Sequence, residues 1–230
     1  MKWKQWNALP DAMKNDKVRP YYDILQNKRA QLILKRIFDI VFSLIALVLF
    51  SPIMLALAIL IKLDTKGTVF FRQVRVTQYA KEFRICKFRT MVPNAEALGT
   101  QVTAKNDMRV TKIGRLLRRY RLDEIPQLFN IISGDMTFVG TRPEVPKYVN
   151  HYKEEMLATL LLPAGVTSKA SIEYKDEERL LANTNDAESV YINEVLPQKM
   201  KYNLEAIEKF NILDDTKIII RTAVAVAKND

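Results

Sequence analysis

Residues 37–61 read IFDIVFSLIALVLFSPIMLALAILI, a run whose only charged residue is Asp39. Lys35-Arg36 precede it and Lys62 follows it. As a helix rising ~1.5 Å per residue, the run is long enough to cross a bilayer. It starts too late for a cleavable signal peptide, and no small-residue cleavage site follows it. Ser51-Pro52 stands near its middle. Proline removes a backbone N–H and clashes with the preceding turn, so a helix is predicted to kink there. Residues 1–36 hold nine Lys/Arg and residues 62–89 hold eight. Two basic flanks on opposite faces of a membrane conflict with the positive-inside tendency. Asp39 is placed at the interface, paired with a nearby cation such as Arg36. The pattern favours a segment that enters a membrane and turns back at Ser51-Pro52. The competing reading is a proline-kinked spanning helix, which membranes tolerate.

Outside this run the chain reads as one globular body. Its net charge of +10 is uneven. Up to Val149 there are 26 basic and 12 acidic residues, a net of +14; the remainder has 10 basic and 14 acidic, a net of −4. An anionic partner is therefore expected on the N-terminal two-thirds: phosphate, nucleic acid or lipid headgroups. Cys86 is the only cysteine, which excludes an intrachain disulfide, and His151 is the only histidine. Metal sites rich in His or Cys, and Ser-His or Cys-His nucleophile systems, lack raw material. Chemistry falls to carboxylates, hydroxyls or lysines. The organisation predicted is an N-terminal arm and helix (1–34), a re-entrant membrane helix (35–62) and a cytoplasmic catalytic domain (63–230).

Residues 1–20 read as a loosely ordered arm, with Trp3 and Trp6 available to a membrane interface, and 21–36 as a helix. Alternating Val, Phe and Ile at 68–76 and 82–91 predict a β-hairpin turning near Gln78–Lys81. Residues 94–112 read as irregular, and 112–120 as a helix. Asp123 is predicted as an N-cap with Pro126 in the first turn, Leu128, Phe129 and Ile132 as the apolar face, and Gly134 as the stop. A helix over 144–162, a turn over 163–168 and amphipathic helices over 173–211 follow. The apolar run at 212–228 fits either a membrane surface or a core. Cys86 reads as core.

Residues 114–143, GRLLRRYRLDEIPQLFNIISGDMTFVGTRP, carry the chemistry. Arg115, Arg118, Arg119 and Arg121 crowd an acidic pair, Asp123-Glu124, and a tight loop, Gly140-Thr141-Arg142-Pro143, follows. Arginines around adjacent carboxylates suit phosphate binding next to an anionic group or the metal it ligates. A solvated, salt-bridged helix face uses the same residue types.

Six ordered motifs then carry a resemblance: KRIFDI (35–40), Ser51-Pro52, FRQVR (71–75), KFRTM (87–91), GRLLRRYRLDEIPQLFN (114–130) and SGDMTFVGTRP (133–143). From about Lys35 to Thr222 the chain resembles the small monotopic phosphoglycosyl transferases of the bacterial sugar transferase family. That resemblance implies an α/β, mainly helical fold with a re-entrant membrane helix, interfacial amphipathic helices and a small β-hairpin. It implies transfer of a sugar 1-phosphate from a UDP-sugar to undecaprenyl phosphate, releasing UMP. This is the first membrane step of capsule, exopolysaccharide, O-antigen or glycoprotein glycan assembly at the cytoplasmic face of the bacterial inner membrane. Asp123 is implied as the nucleophile. Glu124 is implied as a ligand of Mg²⁺, with Asp123, or as an aid to the acceptor. Mg²⁺ suits carboxylates and a diphosphate without His or Cys. Arg118 and Arg142 are the implied phosphate contacts, then Lys87 and Arg89; Arg115, Arg119 and Arg121 are divided between phosphate and lipid headgroups. Membrane lipid is a further partner, nucleic acid is not, and a homodimer stays open. The sequence departs from the family at Thr77, at Thr141 and over Ala164–Ser168, and no Asn-Gly-Arg stretch matches near Glu173–Glu177. The alternative is a non-enzymatic, membrane-anchored adaptor that binds anionic lipid.

Overall fold

Two helices, Arg19–Asn27 (α1) and Arg29–Asp64 (α2), are separated only by Lys28 in a computed structural model that describes residues 3–95, 107–174 and 186–227. Residues 96–106 and 175–185, and with them much of the predicted irregular stretch 94–112 and part of 173–177, lie outside those residues. Helix α2 is 36 residues long and continues through Pro52. Pro52 has no N–H for the Val48 carbonyl, and the Ser51 hydroxyl donates to that same carbonyl at 2.8 Å. The Ser-Pro pair thus repairs the bond it removes. An 18-residue window of α2 has a mean hydropathy of 2.9, and only 17% of it is buried in the fold. Val48 and Leu49 are 74% and 68% exposed. By length and composition this helix can cross a membrane, and its exposure is not that of a soluble core helix.

Strands Phe70–Val76 (β1) and Glu82–Phe88 (β2) form the predicted antiparallel hairpin, paired from Phe70–Phe88 to Val76–Glu82. Helix Lys112–Arg119 (α3) packs on α2 and brings Leu117 to Phe88 at the end of the hairpin, and helix Gln127–Ser133 (α4) lies on β2. The Thr111 hydroxyl caps α3 by accepting from Gly114 N–H at 2.9 Å. A Cβ on Gly114 would fall 2.0 Å from the Thr90 carbonyl oxygen, so only glycine lets α3 approach the hairpin this closely. Asn130 fastens α4 to β2, accepting from Cys86 N–H at 2.8 Å and donating to the Arg84 carbonyl at 3.0 Å. Cys86 is buried, as expected of a core residue. Gly134, at φ +92°, ends α4 in the left-handed conformation.

Both halves of α2 dock on this one body. In the first half, Arg36 donates to the carbonyls of Ile131 and Ile132 at the end of α4, at 2.6 and 2.9 Å. Asp39 is 3% exposed and accepts from the Thr137 hydroxyl at 2.7 Å and from Phe138 N–H at 3.2 Å. The expected Asp39–Arg36 pairing is therefore not formed. Both side chains turn towards the body, where free carbonyls attract the guanidinium and free donors attract the carboxylate. In the second half, Leu57 and Ile61 pack on Phe88 and Leu117, with Leu122 and Ile125 alongside. Each such side chain stabilises by roughly 1.5–3 kcal/mol when fully buried. Asp64 accepts from Ile113 N–H at 3.0 Å, and Arg89 donates to the carbonyls of Lys66 and Thr65 at 2.6 and 2.8 Å.

Three further expectations change. Residues 163–168 are not a turn. Ala164–Thr167 (β4) pairs in parallel with Met136–Val139 (β3), a second two-stranded sheet beside the hairpin. Gly165 is required there, since its Cβ would lie 2.2 Å from Gly140 N. Residues 144–162 break into a short helix, Pro146–Val149 (α5), and a 3₁₀ stretch, Glu154–Leu161. The N-terminal arm is ordered: Leu9, Met13 and Val18 are buried with Leu160, Leu161, Leu204 and Ile207. Trp3 stacks on Tyr22 and donates to Gln26 Oε1 at 2.6 Å, and the Arg19 guanidinium covers Trp6, so both rings face protein.

The C-terminal part comprises Lys169–Glu173 (α6), Ala187–Val190 (α7), a π-helical turn at Tyr191–Val195, Leu196–Glu208 (α8) and Ile212–Ala227 (α9). Helix α9 packs one side on the body and leaves the other exposed. Asp215 pairs with Lys35 at 2.5 Å and Thr222 bonds Thr167 at 2.7 Å on one side, while Leu213, Ile219, Ile220 and Val224 stay exposed.

Candidate active site

The chain leaves α3 through Arg121, which holds a left-handed φ of +53°. A non-glycine residue there is strained, and such residues cluster at functional sites. The reversal produces a single 3₁₀ turn, Leu122–Glu124. Asp123 is therefore not the N-cap of α4; Pro126 occupies that position, and the acidic pair lies in the preceding turn. The aim of the turn is set from below. Leu122 and Ile125 are anchored on the apolar cluster of Leu57, Ile61, Phe88 and Leu117, which leaves Asp123 and Glu124 to face the other way.

Glu124 is clamped. Lys87 from β2 reaches its Oε1 at 2.9 Å, Arg142 from the loop after β3 reaches the same atom at 3.0 Å, and Arg121 stands 4.0 Å away. Burial works to raise the Glu124 carboxyl, but Lys87, Arg142 and Arg121 outweigh it and hold it well below the usual carboxylate range. Burial pushes the Lys87 ammonium down, with the Glu124 charge opposing. Asp123 is the opposite case and accepts no hydrogen bond from a described residue. Burial pushes its carboxyl up; Lys87 opposes that, the Glu124 charge adds to it, and Arg118 and Arg142 oppose it again. Adjacent carboxylates are thus driven apart, one fixed as an anion and one more basic and without a hydrogen bond or ion pair among the described residues.

The loop carrying Arg142 is held by backbone. Gly140 N–H donates to the Thr167 carbonyl at 3.0 Å and Gly165 N–H to the Thr141 carbonyl at 2.8 Å. The structure brings Lys87, Arg142, Arg121, Asp123 and Glu124 together. Arg118 is adjacent and donates through Nε to the Thr90 hydroxyl at 3.0 Å. Arg89 is placed elsewhere: it is 7% exposed and spends its guanidinium on the end of α2. Arg115 and Arg119 are on the exposed face of α3.

Sequence reasoning missed two supports. Arg75 donates to the Pro143 carbonyl at 3.1 Å and to Gln73 Oε1 at 2.6 Å, bracing the Arg142 loop from β1. Its place in the FRQVR motif was the available signal. Thr77 is buried, donates to the Asp135 carbonyl at 2.5 Å and accepts from Ala164 N–H at 3.1 Å, so it ties the hairpin to the parallel pair. No set of three or more Asp, Glu, His or Cys able to hold a metal occurs among the described residues. Two adjacent carboxylates still fit Mg²⁺, which keeps several waters and takes further oxygens from a substrate diphosphate.

Guanidinium and ammonium groups beside a partly buried carboxylate pair can bind a phosphate anion and hold it for a carboxylate to attack. Residues 30–229 match the family described as bacterial sugar transferase. The chain is 36% identical over 192 residues to a UDP-N-acetylgalactosamine-undecaprenyl-phosphate N-acetylgalactosaminephosphotransferase of Aeromonas hydrophila, covering 82% of this chain and 42% of that relative. It is 42% identical over 133 residues to a putative undecaprenyl-phosphate N-acetylgalactosaminyl 1-phosphate transferase of Bacillus subtilis, covering 57% and 74%. It is 33% identical over 217 residues to a UDP-glucose:undecaprenyl-phosphate glucose-1-phosphate transferase of Escherichia coli, covering 92% and 44%. The chain thus spans less than half the length of the first and third of these. With the acidic turn, its cationic clamp and the long apolar helix in one fold, the chain belongs to the bacterial sugar transferase family.

Proposed function

We propose that this protein transfers a sugar 1-phosphate from a UDP-sugar to undecaprenyl phosphate, giving undecaprenyl diphosphate-sugar and UMP. The observation that carries the proposal is the asymmetry of the acidic pair: Glu124 clamped by Lys87 and Arg142, Asp123 unpaired beside it. A carboxylate oxygen of Asp123 attacks the sugar-bearing phosphorus. The bond from that phosphorus to the bridging oxygen breaks, and UMP leaves with the electron pair. An oxygen of undecaprenyl phosphate then attacks the same phosphorus, and the Asp123 carboxylate leaves unchanged. Lys87 and Arg142, drawn in by Glu124, offset charge on the phosphates as it builds. Arg118 adds a further positive charge near Asp123. Asp123 and Glu124 would hold Mg²⁺, which when bound offsets diphosphate charge and orients the leaving group.

The docking of both halves of α2 on one body supports the re-entrant reading. A body gripping both ends of the apolar segment stays on one side of the membrane, here the cytoplasmic face of the bacterial inner membrane. The exposed apolar face of α9 supports an interfacial position beside it. The relatives' names divide between N-acetylgalactosamine and glucose, so the sugar is left to experiment. Purified protein is incubated with undecaprenyl phosphate and a panel of radiolabelled UDP-sugars. Lipid-linked label and UMP are expected with at least one sugar, together with protein-bound label when acceptor is withheld. Absence of UMP with every sugar would overturn the proposal.

A further inference from the structure

Behind the Arg142 loop is a buried charged group that the transfer reaction does not use. Glu144, two residues past Arg142, is 6% exposed. The Tyr191 hydroxyl donates to its Oε1 at 2.5 Å. Lys199 Nζ lies 3.5 Å from the same oxygen and donates to the Tyr191 hydroxyl at 3.2 Å. Tyr191 and Lys199 are 4% and 5% exposed and belong to the π-turn and to α8, both more than forty-five positions along the chain. A carboxylate, an ammonium and a phenol out of water stabilise only if each satisfies the others, so the geometry among them is tightly set.

Glu144 is also bound through its backbone, its carbonyl accepting from Val76 N–H at 2.9 Å. Arg75 holds the neighbouring Pro143 carbonyl. The loop is therefore fixed at its start by β4, along its edge by β1, and at its end by a side chain plugged into the C-terminal helices. Arg142 lies between these fixings, and its Nη2 must meet Glu124 at 3.0 Å.

We propose that Tyr191 and Lys199 are positioning residues for Arg142: by holding Glu144 they set the guanidinium's aim at Glu124 and at the donor phosphate. The catalytic half of this statement rests on the transferase reading above. Loss of the Tyr191 hydroxyl lets the loop end shift, and misplacement by a fraction of an ångström at a charged contact lowers the rate by about tenfold.

The test is a double-mutant cycle on the full chain in detergent or nanodiscs. Tyr191→Phe should lower UMP release about tenfold in the wild-type background and less than about twofold in an Arg142→Lys background, because the aim it controls is already lost. Lys199→Arg, which keeps the charge, should retain more activity than Lys199→Met. Equal losses from Tyr191→Phe in both backgrounds, as a general loss of stability would give, overturn the proposal. A second readout is independent of the reaction. Arg142 is 35% exposed and open to phenylglyoxal, and peptide mass spectrometry gives its modification rate. Tyr191→Phe should accelerate Arg142 modification severalfold and leave the exposed Arg115 unchanged; equal Arg142 rates overturn the proposal. Wild-type protein that releases no UMP would sink the transferase reading, while the modification rates still decide this one.

Discussion

Replacing Lys87 by methionine tests the clamp directly. Methionine keeps most of the aliphatic stem and removes the ammonium 2.9 Å from Glu124. At that distance Coulomb's law with an effective dielectric of about 20 gives roughly 6 kcal/mol of gross attraction. The net loss is smaller, because desolvation of Lys87 disappears with it and Arg142 remains at 3.0 Å. Breaking one partner of a buried pair typically costs about 3–5 kcal/mol, and the remaining arginine puts this variant near 3 kcal/mol. For a chain of this size that is a fall in Tm of about 6–12 °C. The sign of the pH effect follows from Glu124, whose carboxyl is held below its ordinary range. Such a group contributes stability above its unfolded value and loses it as pH falls through the folded value. With Lys87 gone the folded value rises, so acid destabilisation should begin at a higher pH than in wild type. Adding Glu124→Gln should recover part of the lost stability, since the uncompensated carboxylate goes too. Thermal unfolding in nanodiscs, followed by circular dichroism across pH 4–8, gives all three quantities. A Lys87→Met variant as stable as wild type, or a double variant with no recovery, would refute the clamp.

Other outcomes follow from the same geometry. Asp123→Asn should abolish UMP release yet unfold about 0.5–2 kcal/mol later than wild type at pH 7, because it removes a carboxylate whose ionisation the fold opposes; the gain should vanish as pH drops below the unfolded Asp value, and a less stable variant contradicts the raised carboxyl. Gly165→Ala should cost about 3 kcal/mol or prevent folding, since its Cβ would meet Gly140 N at 2.2 Å; a normal yield and Tm would show that the strands separate easily. Asp39→Ala should lower Tm by several degrees, leaving the Thr137 hydroxyl and Phe138 N–H without their acceptor, and an unchanged melting curve would mean water replaces it. Single cysteines at the exposed positions Asn7 and Asn211, with Cys86 replaced by alanine, should both resist an impermeant thiol reagent in intact cells and react after lysis; labelling of the Asn7 probe from outside would show a spanning helix.

The sequence displayed what short-range physics encodes. Alternation in 68–76 and 82–91 specifies a hairpin, the apolar run of 37–61 a helix long enough to cross a membrane, and Asp123-Glu124 among arginines a cluster of opposite charges. It hid what depends on distant partners. The β3–β4 pair unites residues 136–139 with 164–167, each strand too short to show a period, and parallel pairing leaves no turn between them. Lys87 on β2 and Arg89 just past its end are two residues apart and look alike in sequence; only the fold sends Lys87 to Glu124 and Arg89 to the end of α2. Asp39 beside Arg36 invited a local ion pair, yet both found better partners about a hundred residues away. The polar arm at 1–20 concealed Leu9, Met13 and Val18, which bury only once the C-terminal helices are present.

The anchorage of the acidic turn on Leu57 and Ile61 fixes a height. The two side chains that brace the turn of Asp123 and Glu124 from beneath stand on the second half of α2, with no flexible tether between. On the re-entrant reading proposed above, Asp123 and Glu124 ride at a constant depth relative to the lipid, like a float on a gauge. On the transfer proposed above, a water-borne nucleotide and a lipid-borne phosphate would meet in one plane, because the helix that enters the bilayer would also set the level of Asp123. On this geometry, bilayer thickness becomes a control on rate, since a thinner or thicker leaflet displaces the acceptor phosphate vertically while the carboxylates stay where α2 holds them.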